Sequence, residues 1–569
     1  AIRNCELGRG FNLISTPLIK RWQVTLRSRR GKKEGAEVTP TNQVATMKFA
    51  VPLQQFRKCM ILLLLGITCS VTTYILYVIN PAKIILEYNL QMAPGSIVYE
   101  LWKKPPINVY LKLYIFNITN KDEFLNVLRR LLNTNVTWHA NQTISYIPQR
   151  TVSFVPEMSI GDPEIDVVHA PNIPMLGISS SLRNAGMFVN YPLSSLISML
   201  DSKAILNITV HDYLWGYEDP LVRLASGIVP NFINFRKFGL LDRMYDEGQN
   251  VVFMHIGKNK NMTDENGRYL SVDTYNYRAG MSQWGYHEAE GNETYPENTI
   301  CNRVRGATEG ELFPTNLDEH ATFRVYRKAF CRAIPIVFKK KVLMENGFEG
   351  YLYSMPDNFL DPPEQNPDNA CYCKHLDQCL KKGLSDMTPC YYTIPAAMSL
   401  PHFLNADPSL LEDVEGLHPD PEKHGTKVIL QPVIGIPLKV NSRVQVNLVM
   451  KHTTYSARIK PFNDMTIPLF WSDLDIPSMP SDIEFILTLA LYVLPIVQTV
   501  FLWLLAITAV TLIMLSVPAM LWTLNQQEPL PSDRRDSTDL RIPLNYGQYT
   551  TMHILPAIKK ITSKTDLFS

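Results

Sequence analysis

The sequence predicts an α+β membrane protein: one large antiparallel β domain with helical insertions, held between an N-terminal and a C-terminal transmembrane helix. Three observations predict it. The 569 residues contain only two long apolar runs, one towards each end. All six Asn-X-Thr sequons, at Asn117, Asn135, Asn141, Asn207, Asn261 and Asn292, lie between those runs. The region between them also carries segments of strict apolar/polar alternation, the period of a half-buried strand.

Residues 1–58 are expected to be a cytosolic tail. Arg27, Arg29, Arg30, Lys32, Lys33, Lys48, Arg57 and Lys58 precede the first apolar run. Residues 1–46 are basic, polar and aperiodic, and Met47 is read as the functional start. An Arg-rich transit segment is the rival, and the sequons argue against mitochondrial import. Residues 59–79 form the first span, about 21 residues without a charge, near the roughly 20 that cross a bilayer core. It is expected to serve as an uncleaved signal anchor.

Residues 80–484 are the glycosylated, extracellular or lumenal domain, since a sequon is used only in the secretory lumen. The second run is uncharged from Phe485 to Leu524, about 40 residues, too long for one span and tight for two. Pro495 divides it into a membrane-proximal apolar segment, 485–495, and a span, 496–518, whose only strongly polar residue is Gln498. Residues 519–569 carry Arg534, Arg535 and Arg541 and form a second cytosolic tail. Basic residues near span ends stay cytosolic, which puts both termini there.

Inside the domain, Val109, Leu111, Leu113 and Ile115 alternate with Tyr110, Lys112 and Tyr114. Val444, Val446, Leu448 and Met450 repeat the pattern, and Phe323–Tyr326 and Val428–Val440 read as further strands. Two segments follow helical spacing instead. Phe124, Val127, Leu128 and Leu131 share one face, with Arg129 and Arg130 on the other. In Pro192–Leu200, Pro192 suits a first-turn position and Leu193, Leu196, Ile197 and Leu200 share a face.

A formal charge of +2, with 19% charged residues, names no partner. The basic tails are explained by topology and anionic lipid, not nucleic acid. The chain is 46% hydrophobic, enough for a large core besides two spans, and its 40 prolines suit a turn-rich β domain. Of nine cysteines, Cys5, Cys59 and Cys69 fall in the cytosolic or membrane portion. Cys301, Cys331, Cys371, Cys373, Cys379 and Cys390 cluster in the domain and read as three disulfides, with fifteen connectivities open. A metal site at Cys371-x-Cys373-x5-Cys379 with His375 is the weaker reading; no metal or cofactor is expected. No G-x-S-x-G, H-E-x-x-H or P-loop pattern supports an enzyme.

Leu214-Trp215-Gly216-Tyr217-Glu218-Asp219-Pro220 resembles the LWGY-x-DP signature of the class B scavenger receptors. Asn366–Cys373 resembles their NPDN-x-C-x-C block, and Leu400-Pro401-His402-Phe403-Leu404 their LPHFL block. Gly416–Pro419, Arg443–Leu448 and Ile467–Trp471 follow in the family's order, so the resemblance covers about residues 47–520. The family takes in the fatty-acid translocase, the high-density-lipoprotein receptor, the lysosomal integral membrane protein and insect sensory neuron membrane proteins; an insect-type member is the expectation. The resemblance implies a large antiparallel β-barrel with a helical apex and an internal apolar tunnel. It also implies the pairs Cys301–Cys371, Cys331–Cys390 and Cys373–Cys379.

The function implied is a scavenger receptor that binds lipids or lipid carriers (fatty acids, sterols, carotenoids, lipoproteins) at the apex and passes lipid through the tunnel to the membrane. The alternatives are a lysosomal, endocytic or phagocytic recognition receptor and a two-span ligand-gated ion channel. Expected partners are lipids, carotenoids or lipoprotein particles, the bilayer and endocytic adaptors, with homo-oligomer formation open. Lys203, Ile197 and Met199 are the candidate ligand contacts in the apical segment Pro192–Asn207; a solvated lysine and helix packing are the structural readings. Trp215, Tyr217 and His402 read as core residues. Cys59, at the cytosolic edge of the first span, is a candidate for palmitoylation or simple packing. Tyr549-Thr550-Thr551-Met552 fits the Tyr-x-x-apolar pattern of endocytic motifs.

Overall fold

The computed structural model of the chain describes residues 50–118, 122–231, 233–245, 249–257, 268–289, 293–373, 379–477 and 479–525. Asn261, Asn292, His375, Tyr549 and Met552 lie outside the described residues. The described residues fall into two compact units, 50–68 with 508–525, and those between 69 and 507.

Two helical runs, Gln54–Asn89 and Ser481–Asn525, are long and apolar enough to cross a membrane. Ile61, Leu64, Val78, Ile496, Trp503 and Leu521 are exposed on them, a surface that hydrocarbon covers favourably and water does not. In the smaller unit, Gly66 lets the two helices approach closely. A Cβ there would stand 2.8 Å from Ile513 Cγ1 and 3.3 Å from the Ala509 carbonyl oxygen.

In the larger unit the N-terminal run bends at Asn80, φ 48°, where Pro81 cannot continue the hydrogen-bond ladder. The bend frees backbone N–H groups, which are costly to leave unpaired near a bilayer. Lys83 N donates to Asn80 Oδ1 at 3.1 Å and Ala82 N to Gln498 Oε1 at 2.7 Å. Gln498 Nε2 donates in turn to Asn80 Oδ1 at 3.1 Å. The polar residue of the second run therefore repairs a defect in the first. Pro495 does not interrupt its own helix. Helix Ser481–Thr488 passes through a π turn, Leu489–Val493, into helix Leu494–Asn525. The wider turn accommodates the proline's missing donor, so 485–495 and 496–518 are parts of one helix.

A 13-stranded antiparallel sheet dominates the larger unit. Its order is Phe323–Arg327, Arg332–Leu343, Glu349–Ser354, Lys427–Leu430, Pro437–Val449, Thr466–Ile476, Val109–Phe116, Asp122–His139, Thr143–Phe154, Val252–His255, Val272–Tyr275. Ser385–Asp386 and Ala396–Ser399 attach through Pro437–Val449. The two end strands do not pair, yet both bond one segment. Val272 N donates to Ala307 O at 2.7 Å and Gly306 N to Val272 O at 2.9 Å. On the other side Thr308 N donates to Arg324 O and Tyr326 N to Thr308 O, both at 2.8 Å. Opposite ends of a sheet can share a segment only if the sheet curls round on itself, which also covers both edges.

Alternation builds the core. Leu111, Leu113 and Ile115 point inward from one strand and Val444, Val446 and Leu448 from another, and all are buried. On the opposite face Tyr114 stacks on Trp471, its register partner, at 3.7 Å between ring centroids. The sequence motifs become packing devices. Leu214 is buried, and Asp219 caps helix Pro220–Ile228 by accepting from Leu221 N and Val222 N. Asn369 donates to Phe359 O and Asp361 O and accepts from the buried Arg332. Disulfides join Cys301 to Cys371, Cys331 to Cys390 and Cys373 to Cys379.

Two helical expectations need correction. Phe124–Leu131 lies in strand Asp122–His139, where Arg129 is opposite Val109 on one side and Val152 on the other. Ladders on both edges outweigh the local 3.6-residue spacing. Pro192 is not in a first turn: the helix runs Met187–Met199 and Pro192 lies inside it.

Candidate functional site

A cavity of about 220 Å³ lies within the larger unit. An apolar cavity of about 150 Å³ already accepts benzene, so this one has room for an organic ligand. Seven strands of the sheet line it, and they do so by alternate residues: Val109 and Leu111, Arg129 and Leu131, Ile334 and Ile336, Ser472 and Leu474. Period two puts each pair on one face, so the cavity is the inside of the curled sheet. Leu101 and Trp102 of helix Ile97–Lys103, with Met479 and Ile483, also line it. Those residues adjoin the two membrane-spanning runs in sequence, and Ile483 belongs to one of them.

The wall carries one charged spot, formed by Arg129, Glu311 and Arg327. Behind it Arg150 Nη2 donates to Glu309 Oε1 at 2.9 Å, and the Tyr146 hydroxyl donates to Glu309 Oε2. Burial, helped by the Glu309 charge, raises the Glu311 carboxyl to about 7 against the opposing pull of Arg150, Arg327 and Arg129. Burial also lowers Arg129 to about 10, with Arg150 adding to the effect. Period-two reading of the 122–139 strand would have turned Arg129 inward; reading it as a helix hid this spot.

Helix Met187–Met199 presents a second feature. Its outer face exposes Met187, Phe188, Tyr191 and Met199, with Phe188 89% accessible. Ile197, at 1%, and Asn190 face the core instead. Ile197 is therefore a packing residue and not a contact, which corrects the sequence-based expectation; Met199, at 76%, is exposed. Lys203 is exposed beside Asp201, whose carboxylate pairs with Arg458 at 3.1 Å. A helix that starts at Pro192 leaves out Phe188 and Tyr191; the run Met187-Phe188-Val189 is the sequence signal that includes them.

The remaining candidates are scattered. Asn135, Asn141 and Asn207 are exposed; Asn117 is half-buried, and its Oδ1 accepts from His169 N at 3.1 Å. Cys59 is a half-buried free thiol on helix Ala50–Ile79. His402, φ 54°, is buried and stacked on His424 at 4.2 Å between ring centroids.

The fold and cavity define a membrane protein with two candidate spans and a folded bulk between them that encloses an apolar space. The chain belongs to the CD36 family, whose model matches residues 59–520. It is similar to scavenger receptor class B member 1 of Bos taurus, 27% identical over 425 residues that cover 72% of this chain and 78% of the relative. It is also similar to lysosome membrane protein 2 of Homo sapiens, 26% identical over 400 residues, covering 68% and 78% respectively.

Proposed function

We propose that the protein is a scavenger-type receptor that takes lipid from a carrier at helix Met187–Met199 and passes it through the sheet-lined cavity to the membrane. The observation that carries this reading is the cavity itself. It is apolar, enclosed by alternate residues of the sheet, and reaches elements that adjoin the spans. Each CH2 group moved from water into such a space gains about 0.8 kcal/mol, so a covered path lowers the barrier to transfer without covalent chemistry. The exposed aromatic face of the helix gives a carrier an apolar surface to meet.

In this reading both termini are cytosolic, the six sequon asparagines carry glycans, and the ligands are fatty acids, sterols, carotenoids or lipoprotein lipid. Endocytic or lysosomal cargo recognition is the second reading, supported by the similarity to a lysosome membrane protein. Organic extraction of the purified full chain, followed by mass spectrometry, tests the first. Lipid should co-purify with the native chain, and Ser442→Trp, which puts an indole on the cavity wall, should remove most of it. Equal lipid content in both would refute the cavity as the site.

A further inference from the structure

Five charged side chains converge at one point of the cavity wall. Arg129 and Arg150 come from adjacent strands, Arg327 from the end of strand Phe323–Arg327, and Glu309 and Glu311 from the segment before it. Glu309 is already engaged by Arg150 and Tyr146. That leaves two guanidinium groups, Arg129 and Arg327, to one carboxylate, Glu311. Arg327 Nη1 and Glu311 Oε2 are buried and have no hydrogen-bond partner. The Arg129 guanidinium carbon lies 5.9 Å from the Tyr245 ring centroid.

Elsewhere in the sheet a half-buried arginine closes its charge internally. Arg443 donates from Nε to Asp473 at 3.0 Å and from Nη1 to two backbone carbonyls. The cavity spot keeps at least one cation in excess, in a wall that includes Leu131, Val325, Ile334 and Leu474. An uncompensated charge in such surroundings is costly until an anion meets it.

We propose that Arg129 and Arg327 form an anion site inside the cavity, which takes the head group of a single-chain amphiphile bearing one negative charge. Glu311 competes with that head group for the two guanidinium groups, so occupancy is coupled to its protonation. The inference rests on the cavity being a lipid site, as proposed above. A guanidinium fork matches a carboxylate or sulfonate through paired hydrogen bonds, while the alkyl chain lies along the apolar strands. Four charged groups bear on Glu311: Glu309 from its own segment, and Arg129, Arg150 and Arg327 from the strands packed on it. When Glu311 is ionised its charge offsets that of the arginines without a direct bond; when it takes a proton that offset is lost and an incoming anion meets their full charge. Its carboxyl sits at about 7, so the protonated fraction falls about tenfold from pH 6 to pH 8, and apparent affinity falls with it. Above pH 7, binding of one anion is accompanied by uptake of one proton on Glu311.

The test uses the full chain in phosphatidylcholine nanodiscs with radiolabelled hexadecanesulfonate, which stays ionised at both pH values, and hexadecanol. The native protein should bind the sulfonate about tenfold more tightly at pH 6 than at pH 8, and the alcohol equally at both. Glu311→Gln should hold sulfonate affinity at the pH 6 level throughout. Arg327→Met should lose at least tenfold in sulfonate affinity and keep the alcohol. If Arg327→Met does not fold, the near-isosteric Glu311→Gln decides alone. Native protein that binds both probes alike and without pH dependence overturns the anion site and leaves the lipid cavity standing. Binding of neither probe overturns both.

Discussion

Glu311 and His424 titrate with opposite consequences for stability. Burial raises the Glu311 carboxyl to about 7 from an ordinary value near 4.5. Between those values the folded chain holds a proton that the unfolded chain has released, so this contribution to stability is lost as pH rises from about 4.5 through about 7. Burial, then the neighbouring His402, lowers His424 to about 4. There the unfolded chain holds the extra proton, so stability is lost as pH falls from about 6.5 through about 4. Glu311→Gln should flatten the alkaline side of the profile and raise the melting temperature at pH 8 by roughly 2–4 °C. His424→Gln should lower stability at neutral pH more than at acid pH, because the acid loss that His424 brings is removed with it. Thermal unfolding of the purified chain from pH 4 to pH 8 checks both. A Glu311→Gln curve parallel to the native one would show that the carboxyl titrates normally.

At the scale of elements, Gln498 ties the bend at Asn80–Pro81 to the C-terminal helix. Gln498→Leu leaves the Ala82 N–H without its acceptor, at a cost of about 1–3 kcal/mol. The expected outcome is a lower melting temperature in detergent with an unchanged disulfide pattern; an unchanged melting temperature would show that the clasp contributes nothing. Cys331→Ser opens a loop of 59 residues, a loss of about 4 kcal/mol by loop entropy. It also frees the Cys390 thiol, so the variant should be retained in the endoplasmic reticulum, as surface labelling would show.

These elements also show what the sequence made legible. The two long apolar runs declared themselves by unbroken uncharged length, and the strands at 109–116 and 437–449 because one face of each repeats at a period of two. Strand Asp122–His139 did not, because an inward position holds Arg129, and a charge among apolar residues imitates the polar face of a helix. Pro192 misled in a similar way, being read for its first-turn preference although it lies inside Met187–Met199. The residues that line the cavity come from seven strands far apart in sequence, so only the curl of the assembled sheet brings them together.

For the molecule as a whole, the proposed route separates docking from transfer. The exposed face with Phe188 and Tyr191 is distinct from the cavity wall with Ser442 and Ser472, so one can be changed without the other. Phe188→Asp places a charge on the apolar face and should weaken carrier binding by about tenfold, the range of losing one buried aromatic contact. Uptake of carrier lipid should fall in the same proportion, because transfer follows docking. Ser472→Trp leaves that face untouched and narrows the cavity, so carrier binding should persist while lipid uptake falls severalfold or more. Labelled lipoprotein binding at 4 °C and uptake of its lipid at 37 °C, in cells expressing each variant at equal surface level, read the two steps separately. Apolar burial is the driving force in both steps of the proposed route. If Ser472→Trp lowers binding and uptake equally, the cavity is part of the docking structure and not a conduit. If it lowers neither, lipid reaches the membrane over the outer surface, and the exposed helix alone accounts for the receptor's selectivity.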